Sequence, residues 1–226
     1  MKMLIVKWKL FVLAMLFVQV STAQQAKPAF WDEIQAFKKK DSIAPPPANP
    51  ILFIGSSSFR LWSGLQAAFP GYTIVNRAFG GATIQDMIFY KEDILKPYKP
   101  RQIVMYCGEN DFATSDSVSV ETVVERFKMF YTYTRSLYPG IPFHYVSMKP
   151  SVARKRLMPK YQVANAAIAA YIQSQPNTGY LDVYSPMLLP DGNPRPDIFI
   201  QDNLHMNPKG YAIWIPIIKP ILIKDK

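Results

Sequence analysis

A chain of 226 residues, 49% hydrophobic and 19% charged, is long enough to bury a sizeable core and suits one domain with at most a small appendage; disorder throughout is excluded. Twenty-six Lys and Arg against 16 Asp and Glu give a formal charge of +10, which favours anionic surroundings. The cations are scattered, however, and cluster only at Lys38-Lys39-Lys40 and Arg154-Lys155-Arg156. Both clusters read as solvated surface, and without a nucleic-acid-binding motif no nucleic-acid partner is expected. The single cysteine, Cys107, rules out an internal disulfide framework, and with two distant histidines it offers no zinc-type ligand cluster. No metal and no cofactor are expected.

Residues 1–23 read as an export signal. Lys2, Lys7 and Lys9 form a positive start, Leu10 to Val20 is apolar except for Gln19, and Ser21-Thr22-Ala23 supplies small residues for cleavage. The apolar run is about half the ~20 residues a membrane span needs, although retention as an anchor is the alternative. Cleavage removes three lysines and no acids, leaving +7 of the +10. A periplasmic or extracellular location is expected.

Residues 24–50 read as a helix and a linker. Phe30 to Lys39 is amphipathic, with Phe30, Trp31, Ile34 and Phe37 on one face, and Asp41 to Pro50, containing Pro45-Pro46-Pro47, is extended. From residue 51 to 226 the pattern alternates. Strands are predicted at Ile51–Ile54, Tyr72–Val75, Ile103–Tyr106, Phe143–Ser147 and Tyr180–Tyr184. Helices are predicted at Ile84–Leu95, Val120–Leu137 and about Tyr161–Gln173, with a last one starting at Pro208 and interrupted by Pro216. Strands separated by helices imply right-handed crossovers and a parallel sheet. Five strands fit an α/β, three-layer flavodoxin-like sandwich, in which ligands bind beyond the carboxyl ends of the strands.

Four strand-end segments carry candidate chemistry. Gly55-Ser56-Ser57-Ser58 follows the first strand, where hydroxyls meet free backbone N–H groups at a helix start; a capped turn is the plain alternative. Asn76 to Thr83 contains Gly80-Gly81, adjacent glycines that let backbone approach a bound group, or simply turn. Gly108-Glu109-Asn110-Asp111 offers an amide able to donate to an oxyanion, or to cap a helix. Asp202-Asn203-Leu204-His205 supplies a carboxylate and an imidazole from one loop, as serine hydrolysis requires. The other histidine, His144, lies inside a predicted strand and reads as a core or satisfied polar residue.

The order and spacing of these blocks resemble the SGNH (GDSL-like) hydrolase superfamily from Ile51 onward. The resemblance implies Ser57 as nucleophile, Asp202 and His205 as acid and base, and Ser57, Gly81 and Asn110 as oxyanion donors. The chain departs from the family where Ser56 replaces the usual Asp, so Ser56 and Ser58 stay open as alternatives. Lys149-Pro150-Ser151 resembles a Lys-Pro-Ser segment after the fourth strand in some members. The implied activity is two-step ester hydrolysis on small acyl esters such as acetylated carbohydrates. A lysophospholipase or thioesterase is the second reading, and a non-catalytic anion-binding module the third.

Overall fold

Ile51-Leu52-Phe53-Ile54 is apolar at every position, which suits a strand covered on both faces rather than one with a wet side. In the computed structural model, which describes residues 26–225, all four are 0% exposed; at ~1.5–3 kcal/mol for each large apolar side chain buried, this strand alone is a strong anchor. The expected signal segment lies outside the described residues.

The described residues begin with α1 (Trp31–Ile43), then β1 (Ile51–Gly55), the short α2 (Ser57–Arg60) and α3 (Leu65–Ala68), and β2 (Ile74–Asn76). Next come α4 (Ile84–Phe89), α5 (Lys91–Leu95), β3 (Gln102–Tyr106), α6 (Glu109–Thr114), α7 (Val120–Leu137) and β4 (Phe143–Val146). After these follow α8 (Met158–Gln173), β5 (Thr178–Leu181) and α9 (Pro208–Ile218). The five strands form one sheet in the order β2-β1-β3-β4-β5, and every pairing is parallel. This is the flavodoxin-like arrangement, with the strand order reversing between β1 and β3.

Each sheet face has its own core. Ile34 of α1 and the inner sides of α4, α5, α7 and α8 cover one face; α2, α3 and α9 cover the other, with Phe59, Trp62, Tyr211 and Trp214 packed together. The longest helix obeys its periodicity, burying Val123, Val124, Phe127, Phe130, Tyr131 and Thr134, and Ser119 caps it by accepting from the Thr122 N–H.

Several boundaries differ from the sequence reading. Pro216 does not interrupt the last helix: it lies within α9, on an exposed side shared with Ala212, whose carbonyl loses its donor but can be hydrated. Buried Tyr211, Trp214 and Ile218 hold the helix on the sheet regardless. The first helix runs on to Ile43, into the segment expected to be extended. Ile84–Leu95 is two helices, because Tyr90 leaves helical dihedrals (ψ 14°) as its ring turns against Phe79 and its hydroxyl donates to Ala29 O. The second strand starts later than expected, after a turn in which Tyr72 N donates to Phe69 O, and the fifth ends earlier, where the Asp182 carboxylate accepts from Tyr184 and Ser185 N–H groups.

His144 is a packed residue of β4, as expected. Gln102 Nε2 donates to its Nδ1 (3.1 Å), and its ring fills the space that a Cβ on Gly179 would need. Burial favours the neutral ring and lowers its pKa from 6.5 to about 4. As pH falls, the unfolded chain therefore binds this proton first, so the stabilisation is complete above about pH 6.5 and is lost between there and about 4. Thermal unfolding at pH 7.5 and 4.5 should show a His144-dependent loss of about 2 kcal/mol, and His144→Gln should flatten the profile over that window.

Candidate active site

The chain can leave β1 sharply only because residue 55 is glycine. Its φ is 132°, and a Cβ there would lie 1.8 Å from the Tyr106 carbonyl of the neighbouring strand. The turn delivers Ser56, Ser57 and Ser58 to the start of α2, and their side chains go three ways. Ser56 is fully buried and its Oγ accepts from Asn110 Nδ2 (2.7 Å). Ser58 is buried and its Oγ has no partner among the described residues. Only Ser57 meets an imidazole, with its Oγ 3.1 Å from His205 Nε2. As the first residue of α2, Ser57 also has a backbone N–H with no intrahelical acceptor.

The imidazole comes from a tightly bonded loop. Asp202 Oδ1 accepts from the N–H groups of Leu204 and His205 (both 2.9 Å), forming an Asx turn, and Asn203 takes the left-handed conformation (φ 56°). His205 Nδ1 lies 2.6 Å from Asp202 Oδ2. A carboxylate can only accept, so the proton sits on Nδ1 and the bare Nε2 lone pair faces the Ser57 hydroxyl. Burial alone would raise the Asp202 pKa, but hydrogen bonds from the His205 ring and from the two backbone N–H groups outweigh it and hold the acid at about 2. The carboxylate is therefore charged whenever the imidazole can act as a base. Hydroxyl, imidazole and carboxylate thus form an unbroken line able to pass one proton from Ser57 to His205.

Gly81 is exposed, in the left-handed region (φ 76°), and its N–H donates to no group among the described residues. Asn110, from the start of α6, is nearby but committed. Its amide nitrogen donates to Ser56 Oγ and to Ala82 O (3.0 Å), while its oxygen accepts from Arg154 (2.7 Å). The structure thus brings together Ser57, Asp202 and His205 directly, and joins Asn110 to this group through Ser56 and to the Gly81 loop through Ala82.

Two residues of this network were not legible as such. Arg154 is no solvated surface cation, unlike its exposed neighbours Lys155 and Arg156: it fixes the Asn110 amide and lies 3.8 Å from Glu109. Lys149 is fully buried, 3.4 Å from both Glu109 carboxylate oxygens, and donates to Leu204 O (2.8 Å) in the Asp202–His205 loop. Burial lowers the Lys149 pKa, opposed by the Glu109 charge. The ammonium therefore ties α6 to the loop that carries the imidazole. The only sequence signal was Lys149-Pro150-Ser151 itself.

A nucleophile-type serine at a β1–helix turn, an Asp-x-x-His loop and an asparagine after β3, all above the carboxyl edge of a parallel sheet, define the hydrolase class of α/β proteins. The chain belongs to the GDSL-like Lipase/Acylhydrolase family, which it matches over residues 52–213, and like that family it is a hydrolase of ester bonds. No curated protein matches the sequence. Among solved structures it is similar to a GDSL-like lipase from Bacteroides thetaiotaomicron, at 18% identity and a TM-score of 0.71, covering 83% of this chain and 95% of that one. It is also similar to a carbohydrate esterase family 3 protein from Talaromyces cellulolyticus (14% identity, TM-score 0.58, 77% and 95% covered). A third is a variant of an acetyl-xylooligosaccharide esterase from Geobacillus Stearmophilus (17%, 0.59, 75% and 91%). At these identities the likeness speaks for the fold.

Proposed function

We propose that this protein is an exported serine esterase that removes small acyl groups, such as acetyl esters on carbohydrate, with Ser57 as nucleophile. The observation that carries the reading is the line from Ser57 Oγ through His205 (3.1 Å) to Asp202 (2.6 Å). Ser57 Oγ attacks the ester carbonyl carbon while its proton passes to His205 Nε2, and Asp202 stabilises the imidazolium. The oxyanion is held by the N–H groups of Ser57 and Gly81. Asn110 adds a third donor when the oxyanion takes the place of Ser56 Oγ or Ala82 O as acceptor. The tetrahedral intermediate collapses, His205 protonates the departing alcohol, and a water molecule, deprotonated by the same imidazole, releases the acyl group.

The two solved structures whose names include carbohydrate or acetyl-xylooligosaccharide esterase support the substrate class. Export rests on the basic start and apolar run of residues 1–23. Among the described residues no helix is long and apolar enough to cross a membrane.

One observation favours a longer acyl chain. A groove of about 550 Å³ is lined by Leu61, Trp62, Ile200, Tyr211 and Met206, the residue after His205, with Leu61 and Ile200 exposed. Hydrolysis of p-nitrophenyl acetate and decanoate separates the two readings. Acetate is expected to have the higher kcat/KM by about tenfold or more, the size of a few apolar contacts, and the reverse order would move the assignment to a lipase-type chain. Labelling by a fluorophosphonate, mapped by mass spectrometry, should fall on Ser57.

A further inference from the structure

We propose that Glu33, on the N-terminal helix α1, is a positioning residue that aims the Gly81 N–H at the oxyanion. The proposal rests on the esterase reading above. Helix α1 lies wholly before residues 52–213, the stretch that carries the family match. It is nevertheless docked on the domain. Ile34 is 1% exposed, Phe30 meets Phe79 edge to face with centroids 5.3 Å apart, and Lys38 pairs with Asp93 at 2.7 Å.

That docking brings one carboxylate to the Gly80-Gly81 turn. Glu33 Oε2 accepts from the Gly80 N–H at 2.8 Å, and the same oxygen lies 3.2 Å from Arg60 Nε. Arg60 is the last residue of α2, the helix that begins with Ser57. A single carboxylate thus joins the segment bearing the nucleophile to the segment bearing the free Gly81 N–H. The fit at residue 80 is close: a Cβ there would sit 3.1 Å from Arg60 Cδ and 3.4 Å from Glu33 Oε1.

The turn needs the support. Two successive glycines are the freest backbone a chain can have, and a free N–H is a poor oxyanion donor because it must be ordered during the reaction. On one side, Phe79 N donates to Gly55 O (3.0 Å). On the other, Ala82 O accepts from Asn110 Nδ2 and Cys107 Sγ, and Thr83 caps α4 in a reciprocal pair with Asp86. Between these fixed points, among the described residues, the Glu33 contact is the one hydrogen bond made by the Phe79–Gly80 peptide, the unit next to the one that carries the Gly81 N–H.

Charge sharpens the assignment. A lone carboxylate beside the oxyanion would oppose negative charge there, and Arg60 offsets it. The Glu33 and Arg60 side chains are 30% and 45% exposed, so the ion pair itself adds little to stability. Its loss should appear in turnover rather than in folding.

The test uses the full chain and compares wild type, Glu33→Ala and Glu33→Gln for kcat and KM on p-nitrophenyl acetate, rate of fluorophosphonate labelling, and Tm. Glu33→Ala is expected to lower kcat roughly tenfold. Labelling should slow in step, because the phosphoryl oxygen uses the same donors. KM should stay within about twofold, and Tm within a few degrees. Glu33→Gln keeps an acceptor for Gly80 and should retain at least about half of kcat. The proposal is overturned by a Glu33→Ala enzyme within about twofold of wild type, by equal losses in both variants, or by losses that track Tm. Should Glu33→Ala not fold, Glu33→Asp decides: withdrawn by one methylene, it must lose turnover, and unchanged turnover overturns the proposal. An active wild type indifferent to Glu33 sinks this inference alone. A folded wild type that neither hydrolyses esters nor labels sinks the esterase reading with it.

Discussion

Replacing Ser57 by alanine is expected to lower ester turnover by roughly 10⁴–10⁶-fold, and replacing His205 by alanine should do nearly the same. The double variant should be no slower than either single one. The reason is geometric: Nε2 faces the Ser57 oxygen at 3.1 Å while Nδ1 is occupied by Asp202, so hydroxyl and imidazole act on one proton and neither works alone. What remains would come from the oxyanion donors and binding. Ser58→Ala is the control, and Ser56→Ala, which removes an acceptor of Asn110, should lose far less than Ser57→Ala. Both hydroxyls are buried, Ser56 faces Asn110, and neither lies in the line to His205. Steady-state rates on p-nitrophenyl acetate with circular dichroism to verify folding decide the matter; an active Ser57→Ala protein would refute the assignment of the nucleophile.

The largest effect on stability is expected at Lys149. Its ammonium and the Glu109 carboxylate are both inaccessible, and removing Lys149 leaves that carboxylate buried with the Arg154 guanidinium, 3.8 Å away, as its remaining partner. Lys149→Met should cost about 3–5 kcal/mol, which for a domain of this size lowers Tm by roughly 10 °C. Adding Glu109→Gln removes the under-compensated buried charge and should recover more than half of that loss. Activity should not recover with it, because Leu204 O still lacks the donor that holds the Asp202–His205 loop. Thermal unfolding and ester turnover measured on the same three proteins separate the two roles.

These two predictions mark what the sequence did and did not disclose. The fold was legible because it rests on local pattern. Continuous apolar runs such as Ile51–Ile54 alternate with amphipathic stretches such as Val120–Leu137, and a five-stranded parallel sheet follows. The contact between Asp202 and His205 was legible for the same reason, since the two are three residues apart and meet within one turn. Strand ends were placed less well where a side chain redirected the backbone, as Asp182 does after β5. Contacts between distant segments left no local signature. Nothing in Arg154-Lys155-Arg156 distinguishes the arginine that grips Asn110 from the two exposed cations beside it, and nothing in Glu33 points to Gly80, 47 positions away. Pro216 misled because the rule against proline inside a helix carries less weight where the freed carbonyl can meet water and the opposite side is firmly packed.

The Asp202–His205 pair is assembled within a single turn, whereas its meeting with Ser57 depends on how that turn is docked. Motion of the loop would therefore carry imidazole and carboxylate away together, leaving the base polarised but out of reach. Such a device fails by separation rather than by loss of its parts, and agents that loosen the docking should silence the enzyme well before they unfold it.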